Sequence, residues 1–201
     1  MEEASRPRGR PRSYDENEAL EAAMLTFWRQ GYVGTTMDDV VAATGASRAS
    51  LYRTFGDKKA IFAAALDLYA SRFDRRVSEA LEAGPDADAV VQSVLTASAE
   101  RLTGGEAPPG CLRCNSTLEL AGRDAELDAL LKEINDRFER AMARIMSAAA
   151  TEGVLPKARI AAAASFLTAM IDGMVVMARG GSSRQVLLSL VETARRGYPL
   201  A

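Results

Sequence analysis

The chain has 201 residues, of which 48% are hydrophobic and 26% charged, with a net charge of −2. That balance suits an ordinary globular chain of one large or two small domains, and too little net charge is left to mark a nucleic-acid binder by composition alone. No uninterrupted apolar run nears the roughly 20 residues that span a bilayer, and the Arg-rich start lacks the apolar region of a secretory signal, so a cytoplasmic chain with no membrane partner is expected.

Charge is distributed more tellingly than it sums. Arg6, Arg8, Arg10 and Arg12 cluster at the start, and Arg48, Arg53, Lys58 and Lys59 form a second cluster; these are the candidates for phosphate contact. Residues 1–13 read as a flexible basic arm, because alternating Pro and Gly in RPRGRPR prevent a helix; a solubilising tail or an expression scar fits the same residues. Residues 14–30 carry Leu20, Ala23, Met24, Phe27 and Trp28 at helical spacing, and Gly31 closes that first helix. Thr36 with Asp39 three residues on forms a capping box for a second helix, whose inward stripe is Met37, Val40, Val41 and Thr44.

Gly45 supplies the tight turn and Ser47 caps a third helix. In that helix Leu51 and Phe55 point inward, while Arg48, Ala49, Ser50, Tyr52, Arg53 and Thr54 are left outward. A helix that buries so little has a face for something else, and the DNA major groove admits a helix and is lined with acceptors for Arg. After Gly56, Asp57 opens a long fourth helix running toward Leu81, stopped by Gly84-Pro85. Residues 86–103 form a fifth, GGEAPPG at 104–110 breaks the chain, residues 111–121 form a short sixth and 124–151 a long seventh. Residues 157–179 and 182–196, divided by Gly180-Gly181, complete an all-α chain of about nine helices.

The run Ala23 to Leu66 resembles the DNA-binding domain of the tetracycline-repressor (TetR) family. The resemblance rests on Phe27, Gly31-Tyr32, Thr35-Thr36, Val40-Val41-Ala42, Gly45 with Ser47, Leu51-Tyr52, Phe55 and Lys58 in that order. It implies a helix-turn-helix domain at 14–58 and a helical ligand-binding and dimerisation domain at 59–201. It also implies a dimeric repressor released from a double-stranded operator by a small-molecule effector. By position, Arg48, Ala49, Ser50 and Arg53 fall where the family reads bases, and Tyr52 and Lys58 where it grips phosphate. Thr36 and Ser47 at helix starts, with Arg10 and Arg12 of the arm, complete the expected DNA set. Packing against the first helix is the plain alternative for Tyr52. Lys59 stands where the family is commonly acidic, which suggests a stronger phosphate grip.

In the body, Tyr69, Phe73, Phe138, Met142, Met146, Phe166, Met170 and Met174, with Cys111 and Asn115, form the candidate lining of a lipophilic pocket, since methionine adapts to irregular shapes. Core packing explains the same set. Glu119, Arg137 and Asp172 join Asn115 as polar residues on apolar helices that orient a ligand or else satisfy an internal hydrogen bond. Ala162, Phe166, Val186, Leu187, Leu190 and Val191 offer small and apolar faces for a partner copy, with intrachain core as the alternative.

Cys111 and Cys114 form a C-x-x-C at a helix start with Arg113 between, where thiol pKa values fall. GCL at 110–112 resembles an element of a TetR subset that includes responders to electrophiles or oxidants, so a thiol-based sensor is one alternative function and an interaction protein that has lost DNA binding is another. Zinc is disfavoured, because two thiols without any histidine leave too few ligands. The same lack of histidine removes the usual Ser-His and Cys-His nucleophiles, so neither enzyme activity nor a cofactor is expected.

Overall fold

A computed structural model describes residues 15–83, 86–105, 107–153 and 155–197. The basic arm with Arg10 and Arg12, and the Gly84-Pro85 stop, lie outside the described residues. Within them the chain is helical throughout: α1 (Glu16–Gly34), α2 (Met37–Thr44), α3 (Arg48–Phe55), α4 (Lys58–Glu82), α5 (Ala87–Thr103), α6 (Leu112–Leu120), α7 (Ala125–Thr151), α8 (Ile160–Arg179) and α9 (Arg184–Gly197), with a 3₁₀ turn (Lys157–Arg159) before α8.

Local chemistry sets the boundaries. Asp15, Asp57, Asp86 and Asp124 each accept backbone N–H groups at a helix start. Gly31 stops the regular part of α1 at φ 76°, ψ 171°, after which a last short turn runs to Gly34. α6 begins with Cys111 in the capping position without a side-chain cap, so its first turn is held by packing.

Two apolar clusters fill the molecule. Phe27, Val40, Leu51, Ile61, Phe62 and Leu66 knit α1–α4, and this cluster continues through Cys111, Leu112 and Leu120 into α6 and the start of α7. Val90, Met142, Ile145, Met146, Ala163, Ala164, Met174 and Leu187 join α5, α7, α8 and α9 in the second. α4 belongs to both, packing on α1 at one end and on α7 beyond it. Phe73 and Phe138, ring centroids 4.1 Å apart, fasten that second contact.

Candidate functional site

The reading head follows from its caps. Thr36 and Asp39 close the expected capping box, Gly45 takes the left-handed conformation at φ 66°, and Ser47 Oγ accepts the Ser50 N–H at 3.1 Å. Leu51, 1% exposed, roots α3 in the core, and Phe55 packs against the same cluster. Arg48, Ala49, Tyr52 and Arg53 are exposed and Ser50 half-buried, so the outward face carries the residues anticipated there. Tyr52 keeps 43% of its surface exposed, which removes burial against α1 as the reason for its presence. In the free chain Arg48 is hydrogen-bonded to Asp38 of α2, and Arg53 Nη2 donates to Ser50 Oγ at 3.4 Å.

The two lysines at the start of α4 do different work. Lys58 Nζ donates to the carbonyls of Tyr32 and Thr35, both at 2.8 Å, and lies 4.3 Å over the Tyr32 ring. Two of its three donors thus tie α4 to the end of α1. Lys59 is turned away from the reading face onto Asp124 and Glu126, at 3.1 and 2.7 Å. The hydrogen bonds to Glu126 and then Asp124 push its pKa up. The stronger phosphate grip expected of Lys59 is therefore corrected: its charge is already matched by two carboxylates of the body.

Glu119, near the end of α6, reaches the same joint. Its carboxylate accepts the N–H of Tyr32 at 3.0 Å and of Val33 at 2.8 Å, just where Gly31 has broken the helix. A Cβ at Gly31 would stand 2.7 Å from Glu119 Oε2, so the glycine is needed for the approach as well as for its φ. Sequence reasoning offered Glu119 as a ligand-orienting or satisfied polar residue; it is a strut between body and head.

The other end of α6 opens on a cavity of about 240 Å³ between α4, α5, α6, α7 and α8. Tyr69, Phe73, Cys111 and Phe138 line it as anticipated. Met142, Met146 and Met174 do not; they are fully buried core. Asn115 turns its Nδ2 to the Pro109 carbonyl, Met170 packs on the core beside it, and Phe166 lies on the far side of α8, where with Met146 it borders a cleft of only about 20 Å³. Missing from the expectation were Arg76, Val94, Ser98, Arg101 and Ile171.

Around the thiols, Tyr69 Oη donates to Cys111 Sγ at 3.1 Å and Cys114 Sγ donates to Asp172 Oδ1 at 2.9 Å. Arg113, buried, is paired with Asp172, donates to Asn135 Oδ1 at 2.7 Å and lies 4.2 Å over the Phe138 ring. The Cys114 side chain beside it, helped by the Arg113 charge, outweighs burial and lowers Cys111 to about 5, while Cys114 is pushed up. Cys111, in the cavity wall, is the sulfur held low, and Cys114 keeps the proton that it gives to Asp172. Both cysteines are free of disulfides. Asp172 thus serves the thiols, and Arg137 binds Asp67, Asp74 and Ser71 of α4, so neither faces a ligand.

Of the residues expected at a partner surface, Ala162, Phe166 and Val186 are exposed and Leu190 is half-buried. Leu187 and Val191 turn into the protomer core instead, at 0% and 4% exposure, because the apolar stripe of α9 faces α5 and α8. Val176, 60% exposed, joins Ala169 and Gly173 on the outer face of α8 and was missed. Residues 157–179, 23 in all, contain an 18-residue window of mean hydropathy 1.8 and are long and apolar enough to cross a membrane by length and composition. Uninterrupted runs had hidden this. The inner face of this helix packs in the core and the outer face is equally apolar.

Comparisons with known proteins agree with this geometry. Residues 19–65 match the family described as bacterial regulatory proteins, tetR family, and residues 88–192 match a tetracyclin repressor-like C-terminal domain. The HTH-type transcriptional repressor ComR of Escherichia coli (strain K12) is 31% identical over 194 residues, 96% of this chain and 92% of that protein. A cysteine-substituted TetR family transcriptional regulator CifR, solved with 26-bp double-strand operator DNA, superposes with a TM-score of 0.84 at 30% identity, covering 95% of this chain and 100% of that one. The reduced form of Escherichia coli NemR shares the fold alone, at a TM-score of 0.79 and 14% identity over 90% of this chain and 94% of that one. With a reading head and a helical body matched in one order along almost its whole length, the chain belongs to the tetR family of bacterial regulatory proteins.

Proposed function

We propose that the chain is a dimeric, cytoplasmic transcriptional repressor that leaves its operator when a small molecule enters the cavity. The observation that carries this reading is that two helices walling the cavity, α4 and α6, both end on the reading head. α4 lines it with Tyr69 and Phe73 and starts at Lys58 on the Tyr32 and Thr35 carbonyls; α6 meets it at its cap, Cys111, and in its last turn sets Glu119 on Tyr32 and Val33. A ligand that parts α4 from α6 therefore moves the head as a unit. In a twofold dimer the heads must stand about 34–36 Å apart to enter successive major grooves, so a small rotation of each costs the fit.

The division into a DNA-binding unit at 14–58 and an effector and dimer unit at 59–201 falls at the start of α4. Dimerisation is supported by the outer face of α8, where Ala162, Phe166, Ala169, Gly173 and Val176 let a partner helix approach closely, with Val186 of α9 beside them. ComR is a transcriptional repressor, and a chain without histidine lacks the usual Ser-His and Cys-His nucleophiles, which supports a regulator rather than an enzyme. The exposed Arg48, Tyr52 and Arg53 speak against a helical interaction protein that has lost DNA binding.

The test is a gel shift on the promoter fragment of the chain's own transcription unit, repeated at rising salt. Sequence-selective binding that weakens steeply with salt is expected, and binding that fails to distinguish this fragment from random DNA overturns the reading. A thiol-based sensor is the second reading, favoured by the Cys111 thiolate in the cavity wall. Mass spectrometry after mild peroxide or a quinone, with DNA affinity in parallel, decides it: an unmodified Cys111 and unaltered affinity remove it.

A further inference from the structure

Two arginines of the cavity wall meet no carboxylate among the described residues, and Cys111 is the one group of low pKa beside them. The lining includes Arg76 from α4 and Arg101 from α5 and, among the described residues, no Asp or Glu. Arg101 donates Nη1 to the Gly110 carbonyl at 3.1 Å and lies 5.7 Å from the Trp28 ring, but meets no described carboxylate. Arg76 makes no hydrogen bond or ion pair with a described residue, and it is exposed, which sets it at the mouth. Other arginines of the same helices and walls are treated differently: Arg72 is paired with Glu21, Arg113 with Asp172, and Arg137 with Asp67 and Asp74. Partial burial, with the like charges of Arg101 and Arg72 and against the pull of Tyr69 and Cys111, holds the Arg76 guanidinium below its ordinary value. A guanidinium so placed gains from any anion brought to it, because water at the mouth screens it only in part.

The lining also has an apolar part, with Phe73, Val77, Val94, Phe138 and Ile171. We propose that the effector is a small lipophilic carboxylate, its head bound by Arg76 and Arg101 and its hydrocarbon or aromatic body laid on Phe73 and Phe138. This deepens the effector-cavity reading and rests on it. At roughly 30 Å³ of liquid volume per water-sized group, a cavity of about 240 Å³ suits acids on the order of ten heavy atoms, not a long-chain lipid.

The experiment measures binding to the full chain by calorimetry and thermal shift. The probes are benzoate, octanoate and 4-phenylbutyrate, each beside its primary amide; none has an electrophilic carbon, so Cys111 does not react with them. At least one acid is expected to bind about tenfold tighter than its amide, the difference between a charge-assisted and a neutral hydrogen-bonded pair. Arg76→Gln, which breaks no internal contact, is expected to cut that ratio to about threefold or less, and Arg76→Gln with Arg101→Gln to abolish it. Cys111→Ser is expected to keep it. The proposal is overturned if no acid exceeds its amide in the wild type, or if the ratio survives both arginine variants. Operator binding of the ligand-free protein is read separately. Acid selectivity without operator release upholds the anion site and sinks the release mechanism; a wild type that binds its operator but shows no acid selectivity sinks the anion site and leaves the regulator reading standing.

Discussion

The reading head and the body are built of the same helices but by opposite means. In the head, α2 and α3 are eight residues each, fixed at their ends by Thr36, Gly45 and Ser47, and their working face is what remains after Leu51 has been buried. In the body, the working surface is a hollow between five helices, and no helix alone contains it. A surface made by caps tolerates change in its outward residues, whereas a hollow made by packing depends on everything around it. The difference teaches where mutations separate function from folding: outward on α3 they touch binding alone, and inward in the body they touch stability first.

The largest effect expected tests the head. Reversing Arg48 and Arg53 to Glu removes two contacts worth about 1–3 kcal/mol each, so operator affinity in fluorescence anisotropy falls by roughly a hundredfold or more. The melting temperature and the binding of cavity ligands should not change, and a matching loss of stability would erase the contrast. In the body, Met142→Ala, at a fully buried site, is expected to lower unfolding free energy by about 2–5 kcal/mol. If ligand affinity fell instead with stability intact, Met142 would belong to the cavity rather than the core.

The joint between the regions comes next. Glu119→Ala leaves the Tyr32 and Val33 N–H groups without their acceptor, which costs about 1–3 kcal/mol. Faster hydrogen exchange at those two amides, together with weaker release of DNA by an effector, is the expected readout. The smallest effect concerns Cys111. Because its folded pKa is depressed to about 5 from 9.0, the thiolate persists until the pH drops through about 5, and its contribution to stability is full above 9.0 and lost as the pH falls through about 5. Iodoacetamide labelling should show its midpoint near that lower pH, and Cys114→Ala, which removes the largest cause, should move the midpoint up.

How much was legible follows from the range of the interactions. The helix order and the head were readable because capping boxes, a left-handed glycine and a cap serine act within four residues. Lys59 was misjudged because its partners Asp124 and Glu126 lie 65 and 67 residues away in sequence. Glu119 reaches Val33 across 86 residues, and nothing local announces that. For α9 the helical phase showed an apolar stripe, but phase does not say whether Leu187 and Val191 meet their own core or a second copy. The methionines misled for a related reason: their adaptability suits a pocket wall and a close-packed core equally, and burial alone separates the two.

The link between Arg48 and Asp38 carries one more consequence. A repressor meets vastly more irrelevant sequence than target, and any phosphate that attracts Arg48 also repels its acidic neighbour on α2. Were Arg48 to read a guanine, Asp38 would act as a built-in decoy, occupying the arginine until a better set of acceptors is offered, so that chance encounters would be loosened more than the right one.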